Sequence, residues 1–247
     1  MNAPFGKFLS GEGKAIAELD RGEILKLVDE HKLVLVRGLR PFSEGELLSF
    51  AADRAEELVH WSFGPVMDLK VDEQTENYLF STEAVPFHWD GAFHVEPRVL
   101  VFQCLRAPVA GAGGETLFCD TETLLRETAK KALWQEITLT YETEKKAHYG
   151  GKFSGPMVRR HPTKGTPILR YAEPVTSKLN PVSLTVEGAE LGSLVRQMEK
   201  HLYDPRFTYG HEWQDGDLLL ADNFSLLHGR RGFTKASPRH LRRVQIR

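Results

Sequence analysis

Two imidazoles and a carboxylate are the groups in this sequence best placed to do chemistry. The run Phe87-His88-Trp89-Asp90-Gly91 sets His88 and Asp90 two residues apart, and His228 lies far downstream. On an extended strand residues i and i+2 share a face, so His88 and Asp90 would address one centre while Trp89 faces away. A histidine from a distant strand would complete two nitrogens and one carboxylate on one side of a metal. That set, with positions left open, is the usual ligand arrangement of non-haem Fe(II) in oxygen-activating enzymes. Spacing alone does not decide the matter. Ten histidines yield roughly one or two His-x-acid triplets by chance, and His94-Val95-Glu96 is a second one. A structural histidine bonded to a nearby acid explains either pair.

The elements that would carry these residues are mostly short strands. Leu33 to Val36 is an apolar, β-branched run ending before Gly38, as in a buried strand. Ser43 with Glu46 has the capping-box spacing and predicts a helix running to about Leu58. Beyond Pro86 the chain reads as strands and turns: Val99 to Phe102, a turn at Gly111 to Gly114, then Glu115 to Phe118. A helical segment over Thr121 to Trp134 precedes a polar strand at Ile137 to Tyr141. Gly150 to Gly155 reads as a mobile loop, and Ile168 to Tyr171 as a strand. Val186 to His201 has helical periodicity, with Leu191, Leu194, Val195 and Met198 on one face. Gly216 to Ala221 and Leu241 to Ile246 read as closing strands. Many strands with a few helices outside them predict a mainly β sandwich or jelly roll with helical insertions.

Bulk composition excludes more than it identifies. The chain has 247 residues, a formal net charge of −2, 41% hydrophobic and 27% charged residues. That length suits one core, so a single domain over residues 1–247 is expected. No apolar run reaches the length of a membrane span, and Met1 to Lys14 has no secretory pattern. Cys104 and Cys119 have neither disulfide-framework nor zinc spacing; as buried reduced thiols they fit a cytoplasmic protein. Arg230, Arg231, Lys235, Arg239, Arg242, Arg243 and Arg247 form a basic set. It lacks an aromatic stacking platform, so nucleic acid is not the expected partner. Gly111-Ala112-Gly113-Gly114 leads into a strand, not a helix, and lacks the dinucleotide fingerprint. Oligomeric state is not readable.

Five segments separate the two His-x-acid pairs. Phe-His-Trp-Asp-Gly at 87–91, Gly-Gly-Glu-Thr-Leu-Phe at 113–118, His-Pro-x-x-Gly at 161–165, Gly-Asp-Leu-Leu-Leu-Ala-Asp-Asn-x-x-x-x-His at 216–228, and Arg239 with Arg243 occur in order. Together they resemble the taurine dioxygenase/TfdA-like Fe(II)- and 2-oxoglutarate-dependent oxygenases from Leu33 onward. The resemblance implies a double-stranded β-helix core, with His88, Asp90 and His228 as metal ligands. It implies that Arg239 and Thr116 receive the distal carboxylate of the cosubstrate 2-oxoglutarate, which suits a planar guanidinium. Left to the residues alone, Arg239 could equally be a solvated basic residue and Thr116 a half-buried strand residue. The reaction implied consumes O2 and 2-oxoglutarate, releases succinate and CO2, and removes a hydrogen atom from a small molecule. With Asp at 90, where related halogenases carry a small residue, hydroxylation, desaturation or oxidative decarboxylation is expected.

For the substrate, Phe-His-Trp-Asp-Gly-Ala-Phe and Phe102-Gln103-Cys104 look most like the paerucumarin-type isonitrile oxygenases, which act on amino-acid-derived isonitriles. Lys70, Phe93, His94, Arg170, Tyr171 and Arg243 are the candidate pocket residues, the cations for a carboxylate. Gly64 to Lys70 shows no histidine where taurine-specific relatives carry one. Two other classes stay open on the residues alone: a non-catalytic jelly-roll binding protein, and a cupin-type metal isomerase or hydrolase that would need neither Arg239 nor Thr116.

Overall fold

The computed structural model describes residues 3–75, 77–144, 151–175, 177–179, 181–234 and 237–247. Strand β1 (Lys7–Ser10) is followed by helix α1 (Arg21–His31), capped where the Asp20 side chain accepts from the Glu23 amide. Helix α1 has no counterpart among the expected elements, because its buried apolar face is only Ile24 and Val28. Next come β2 (Leu33–Arg37) and α2 (Glu44–Ala51), opened by the reciprocal Ser43–Glu46 capping box. The walls of the site then follow as β3 (Met67–Lys70), β4 (Val85–His88), β5 (Val99–Arg106) and β6 (Thr116–Asp120). An outer layer holds α3 (Thr121–Glu127), α4 (Lys131–Gln135), β7 (Thr138–Thr143), β8 (Gly151–Pro156), β9 (Val158–Arg160), β10 (Pro167–Leu169), β11 (Ser183–Glu187) and α5 (Leu191–Leu202). The chain closes with β12 (Thr208–His211), β13 (Leu218–Asp222), β14 (Leu226–Arg230) and β15 (His240–Ile246).

Two sheets face each other. The larger has the order β1-β2-β13-β5-β15-β3 and the smaller β12-β6-β14-β4. Every pairing within them is antiparallel except β1 with β2. The period of two divides the strands cleanly. Leu33, Leu35, Leu100, Phe102, Leu219 and Leu241 of the larger sheet meet Phe118, Leu226 and Tyr209 of the smaller. Val34, Val36, Val101, Leu220 and Val244, on the opposite parity, pack under α1 and α2. Leu117, Cys119, Leu227 and Phe87 turn outward to meet α3, α5 and the sheet β11-β7-β8. Each buried aliphatic side chain contributes about 1.5–3 kcal/mol, so a one-residue slip of any inner strand is heavily disfavoured. This is the expected mainly β, double-stranded β-helix core with helical insertions.

Several boundaries differ from expectation. Helix α2 stops at Ala51, not Leu58, because Leu58 bridges to Ile246 and the Val59 amide donates to the Gln245 carbonyl. The helix expected over Thr121 to Trp134 is two helices. The Thr128 hydroxyl accepts from the Lys130 amide between them, and Trp134 enters the core. Val186 belongs to β11, and α5 starts at Leu191 under the Glu190 side-chain cap. Leu191 is exposed, and the buried face is Leu194, Met198 and Leu202. Residues 151–156, expected as a mobile loop, are strand β8 paired along β7; Gly150 lies outside the described residues. Strand β10 ends at Leu169, leaving Arg170 and Tyr171 beyond it.

Candidate active site

The inward parity of four strands turns polar at one end of the space between the sheets. Strand β4 contributes His88, β6 Thr116, β14 His228 and Arg230, and β15 Arg243 and Gln245, in phase with Leu241. His88 and His228 are direct cross-strand partners, with ring centroids 4.2 Å apart. Strand β4 ends at His88, so Asp90 lies in the following turn and not on the strand face expected for it. It reaches the same centre because the Asn223 side chain holds its backbone. Asn223 Oδ1 accepts from the Asp90 amide at 2.9 Å, and Nδ2 donates to the carbonyls of Asp90 and Pro97. Gly91, at φ 97°, completes the turn; a Cβ there would stand 2.3 Å from Glu96 Cα.

Asp90 Oδ1 sits 3.6 Å from the Nε2 atoms of both His88 and His228. One ligand atom from each of the three residues falls within 4.8 Å of the others. The second carboxylate oxygen, Oδ2, is occupied by Arg243 Nη1 at 2.8 Å and by Gln245 Nε2. Only Oδ1 is left to face the imidazoles. His88 Nδ1 lies 2.8 Å from the Pro86 carbonyl, which assigns the proton to Nδ1 and the lone pair to Nε2. His228 is buried, and among the described residues neither of its ring nitrogens has a hydrogen-bond partner.

Burial, and then neighbouring His88, depress the His228 pKa to about 3, so its ring is neutral. For Asp90 burial pushes upward, but the Arg243 guanidinium 2.8 Å away overcomes it and holds the carboxylate ionised. Two imidazoles and one singly available carboxylate oxygen are a donor set suited to ferrous iron. An unsatisfied buried imidazole costs on the order of 1–3 kcal/mol, which a cation at Nε2 would offset in part.

A small cavity of about 40 Å³ joins His88 and His228 to Thr116, Arg239, Arg230 and Arg243. Arg239 is buried just before β15. It donates from Nε to the Gly114 carbonyl at 2.9 Å and stands 3.4 Å from Thr116 Oγ1. Among the described residues no carboxylate pairs with it, and burial depresses its pKa to about 9. A buried guanidinium without a counter-ion calls for an anion. Gly114 and Gly113 shape this end: a Cβ on Gly113, at φ 84°, would lie 2.1 Å from the Gly232 carbonyl oxygen.

Only part of the basic C-terminal set is a solvated face, since Arg231 and Arg247 are exposed. Arg230, Arg239 and Arg243 are buried, Arg242 lies beside Glu44 and Asp68, and Lys235 falls outside the described residues. Arg230 donates to the carbonyls of Tyr78, Leu79, Ser81 and Glu83 and so pins the segment that walls the centre.

A second cavity of about 340 Å³ opens from the same centre and is walled by Trp61, Phe63, Tyr78, Phe93, His94, Tyr141 and Leu184 among others. His88, Asp90 and Arg243 border it. Of the expected pocket residues, Phe93, His94 and Arg243 are there and three are not. Lys70 is exposed at the end of β3. Arg170 is buried behind Trp89, with Nε 2.8 Å from Glu96 Oε1 and Nη1 on the Phe224 carbonyl. Tyr171 is fully enclosed in the outer core. The rival pair splits, since His94 packs on Trp61 while Glu96 binds Arg159 and Arg170. His161 of the His-Pro-x-x-Gly segment serves the frame, bonding with Lys164 to Asp222 ahead of β14.

Asn223, Gln245 and Glu173 were not among the expected residues. Asn223 carried a signal in the Asp-Asn dipeptide ahead of His228, and Gln245 in its strand phase with Arg243. Glu173 carried none.

The sequence profile of the taurine catabolism dioxygenase TauD, TfdA family matches residues 3–245. The chain belongs to this family. It is 43% identical over 254 residues to the 3-((Z)-2-isocyanoethenyl)-1H-indole synthase of Fischerella ambigua, covering 98% of this chain and 93% of that protein. It is 36% identical over 244 residues to the tyrosine isonitrile desaturase of Pseudomonas aeruginosa, covering 95% and 84%. The crystal structure of PvcB from P. aeruginosa superposes with a TM-score of 0.82 at 33% identity, covering 98% of this chain and 86% of PvcB. A further structure describes PvcB as an Fe, alpha-ketoglutarate dependent oxygenase from an isonitrile synthetic pathway. As a TauD/TfdA family member with a His–Asp–His centre, this protein is a non-haem Fe(II)- and 2-oxoglutarate-dependent oxygenase. The binding-protein and cupin-type alternatives fall away.

Proposed function

We propose that this oxygenase converts an aryl amino-acid-derived isonitrile, a 2-isocyano-3-arylpropanoate, to the corresponding aryl vinyl isonitrile. The observation that carries this reading is the aromatic-walled cavity of about 340 Å³ bordered at its inner end by His88, Asp90 and Arg243. An aryl ring fits such walls, and a carboxylate fits the Arg243 guanidinium that borders this cavity. The balance closes: the substrate loses CO2 and two hydrogens, while O2 and 2-oxoglutarate give succinate, CO2 and water. The 43% identical indole isonitrile synthase supports an indole ring, and the tyrosine isonitrile desaturase a phenol.

In this reading His88, Asp90 and His228 hold the iron, which with 2-oxoglutarate supplies the oxidant when bound. Arg239 and Thr116 take the distal carboxylate of 2-oxoglutarate. Arg243 keeps Asp90 turned with Oδ1 toward the histidines and borders the large cavity. Phe93 and His94 flank the ring. The chain acts as one catalytic domain over residues 1–247, which the family match along 3–245 supports. No helix among the described residues is long and apolar enough to cross a membrane. Cys104 and Cys119 are buried and free, with thiols pushed up to about 12 by burial, which favours a reducing cytoplasm.

The test is direct. Anaerobic protein with Fe(II) and 2-oxoglutarate should develop the weak visible band of the metal chelate. Admitting O2 with a 2-isocyano-3-arylpropanoate should give vinyl isonitrile and succinate in equal amounts by mass spectrometry. Succinate formed without change in the isonitrile would refute the substrate assignment and leave the oxygenase class standing.

A further inference from the structure

One carboxylate on the wall of the large cavity has no place in the chemistry described so far. Glu173 follows β10, and its backbone amide donates to the Phe87 carbonyl at 2.9 Å, locking it beside the strand that carries His88. Its Oε2 is held from behind, accepting from the Phe87 amide at 2.8 Å and from the Tyr203 hydroxyl at 2.9 Å. Among the described residues nothing donates to Oε1. Of the other polar residues on this wall, Asn77, Tyr78, His94 and Thr143 have partners of their own, the Tyr141 hydroxyl donates to the Ala172 carbonyl, and Ser62 is exposed. Burial, against the pull of those two donors, raises the Glu173 pKa. Glu173 is only partly buried, so a ring that covers Oε1 strands this acceptor unless the ring itself brings a donor.

We infer that Glu173 is a specificity-determining residue whose Oε1 accepts a hydrogen bond from the aryl ring of the substrate, an indole N–H or a phenol O–H. The inference rests on the proposed aryl isonitrile chemistry and sharpens it. Arg243, at the metal end, fixes the acid; Glu173, on the wall, selects rings that carry a donor. A site built to bond such a group rejects the analogue without it, because its own polar atom is then stranded.

The experiment compares the indolyl substrate with its isosteric benzothienyl analogue, where sulfur replaces N–H, and the phenol with the phenyl compound. Wild-type protein should favour each donor-bearing member by about tenfold or more in kcat/KM, the worth of a hydrogen bond to a charged acceptor. In Glu173→Gln the amide oxygen can still serve Phe87 and Tyr203, while the exposed end becomes a donor. Both ratios should then fall toward one. The wild-type comparison stands even where the variant fails to fold. Equal efficiency within each wild-type pair, or ratios unchanged in E173Q, would overturn the role of Glu173 while leaving the desaturase reading intact. Turnover of none of the four compounds would remove both. A preference in only one pair supports the role and says which ring the site takes.

Discussion

Arg239 and Arg243 are four residues apart, both buried, and differ in what they lack. Arg243 has a carboxylate at 2.8 Å, whereas no described carboxylate pairs with Arg239. A buried cation without a counter-ion is tolerated where a ligand supplies the charge, so Arg239 is the residue whose loss should act on cosubstrate binding. Arg239→Lys keeps the charge but abandons the planar fork. It should cost about 1.5–3 kcal/mol, or roughly 10–150-fold in KM for 2-oxoglutarate. The KM for the isonitrile should change little. Initial rates with each ligand varied in turn give the split, and an equal rise in both constants would mean the residue acts only on the frame. Thr116 shares the site more passively, as its hydroxyl also accepts from Trp213 Nε1 at 3.0 Å.

At the scale of elements, the histidines and the aspartate are positioned by different means. A β-ladder sets His88 against His228, and such a pair survives most changes of side chain nearby. Asp90 has no ladder: its place depends on Asn223, which spans from the β13–β14 turn to the turn after β4. Asn223→Ala should leave the two sheets intact and free the Asp90 turn. We expect Fe(II) affinity to fall about 10–100-fold, the usual effect of removing a partner that orients a metal ligand. Anaerobic titration measures this, and far-ultraviolet circular dichroism checks that strand content is kept. The same distinction explains what could be read from sequence. Strands written as continuous apolar runs, such as β5 and β13, were legible, as were the motif residues around them. The Asp90 turn looked like a strand because alternation of His, Trp and Asp imitates one. Lys70 and Arg170 looked like carboxylate binders because charge is visible in a sequence and its partner, here Glu96 for Arg170, is not. Glu173 was invisible, since only the pairing of its backbone with Phe87 brings it to the cavity.

For the whole molecule, the site is where ligand binding should couple to the stability of the fold. Four buried polar atoms there have no hydrogen-bond partner among the described residues: both ring nitrogens of His228, Nε of Arg243 and Oε1 of Gln245. Beside them sits the unpaired guanidinium of Arg239. Away from this end the two main sheets are pressed together by Phe102, Phe118 and Leu241. Ligands that bind only the folded chain should therefore stabilise it by mass action. At about 100 times its dissociation constant a ligand adds about 2.7 kcal/mol. In a chain of this size that is roughly 5–10 °C in Tm. Fe(II) under anaerobic conditions should give one such step, and 2-oxoglutarate a further one only when the metal is present. In Arg239→Lys the metal step should persist and the cosubstrate step shrink. Differential scanning fluorimetry with the four combinations reads all of this. Equal shifts from 2-oxoglutarate with and without Fe(II) would mean that cosubstrate binding does not depend on the His88–Asp90–His228 centre, and the two cavities would then have to be treated as separate sites.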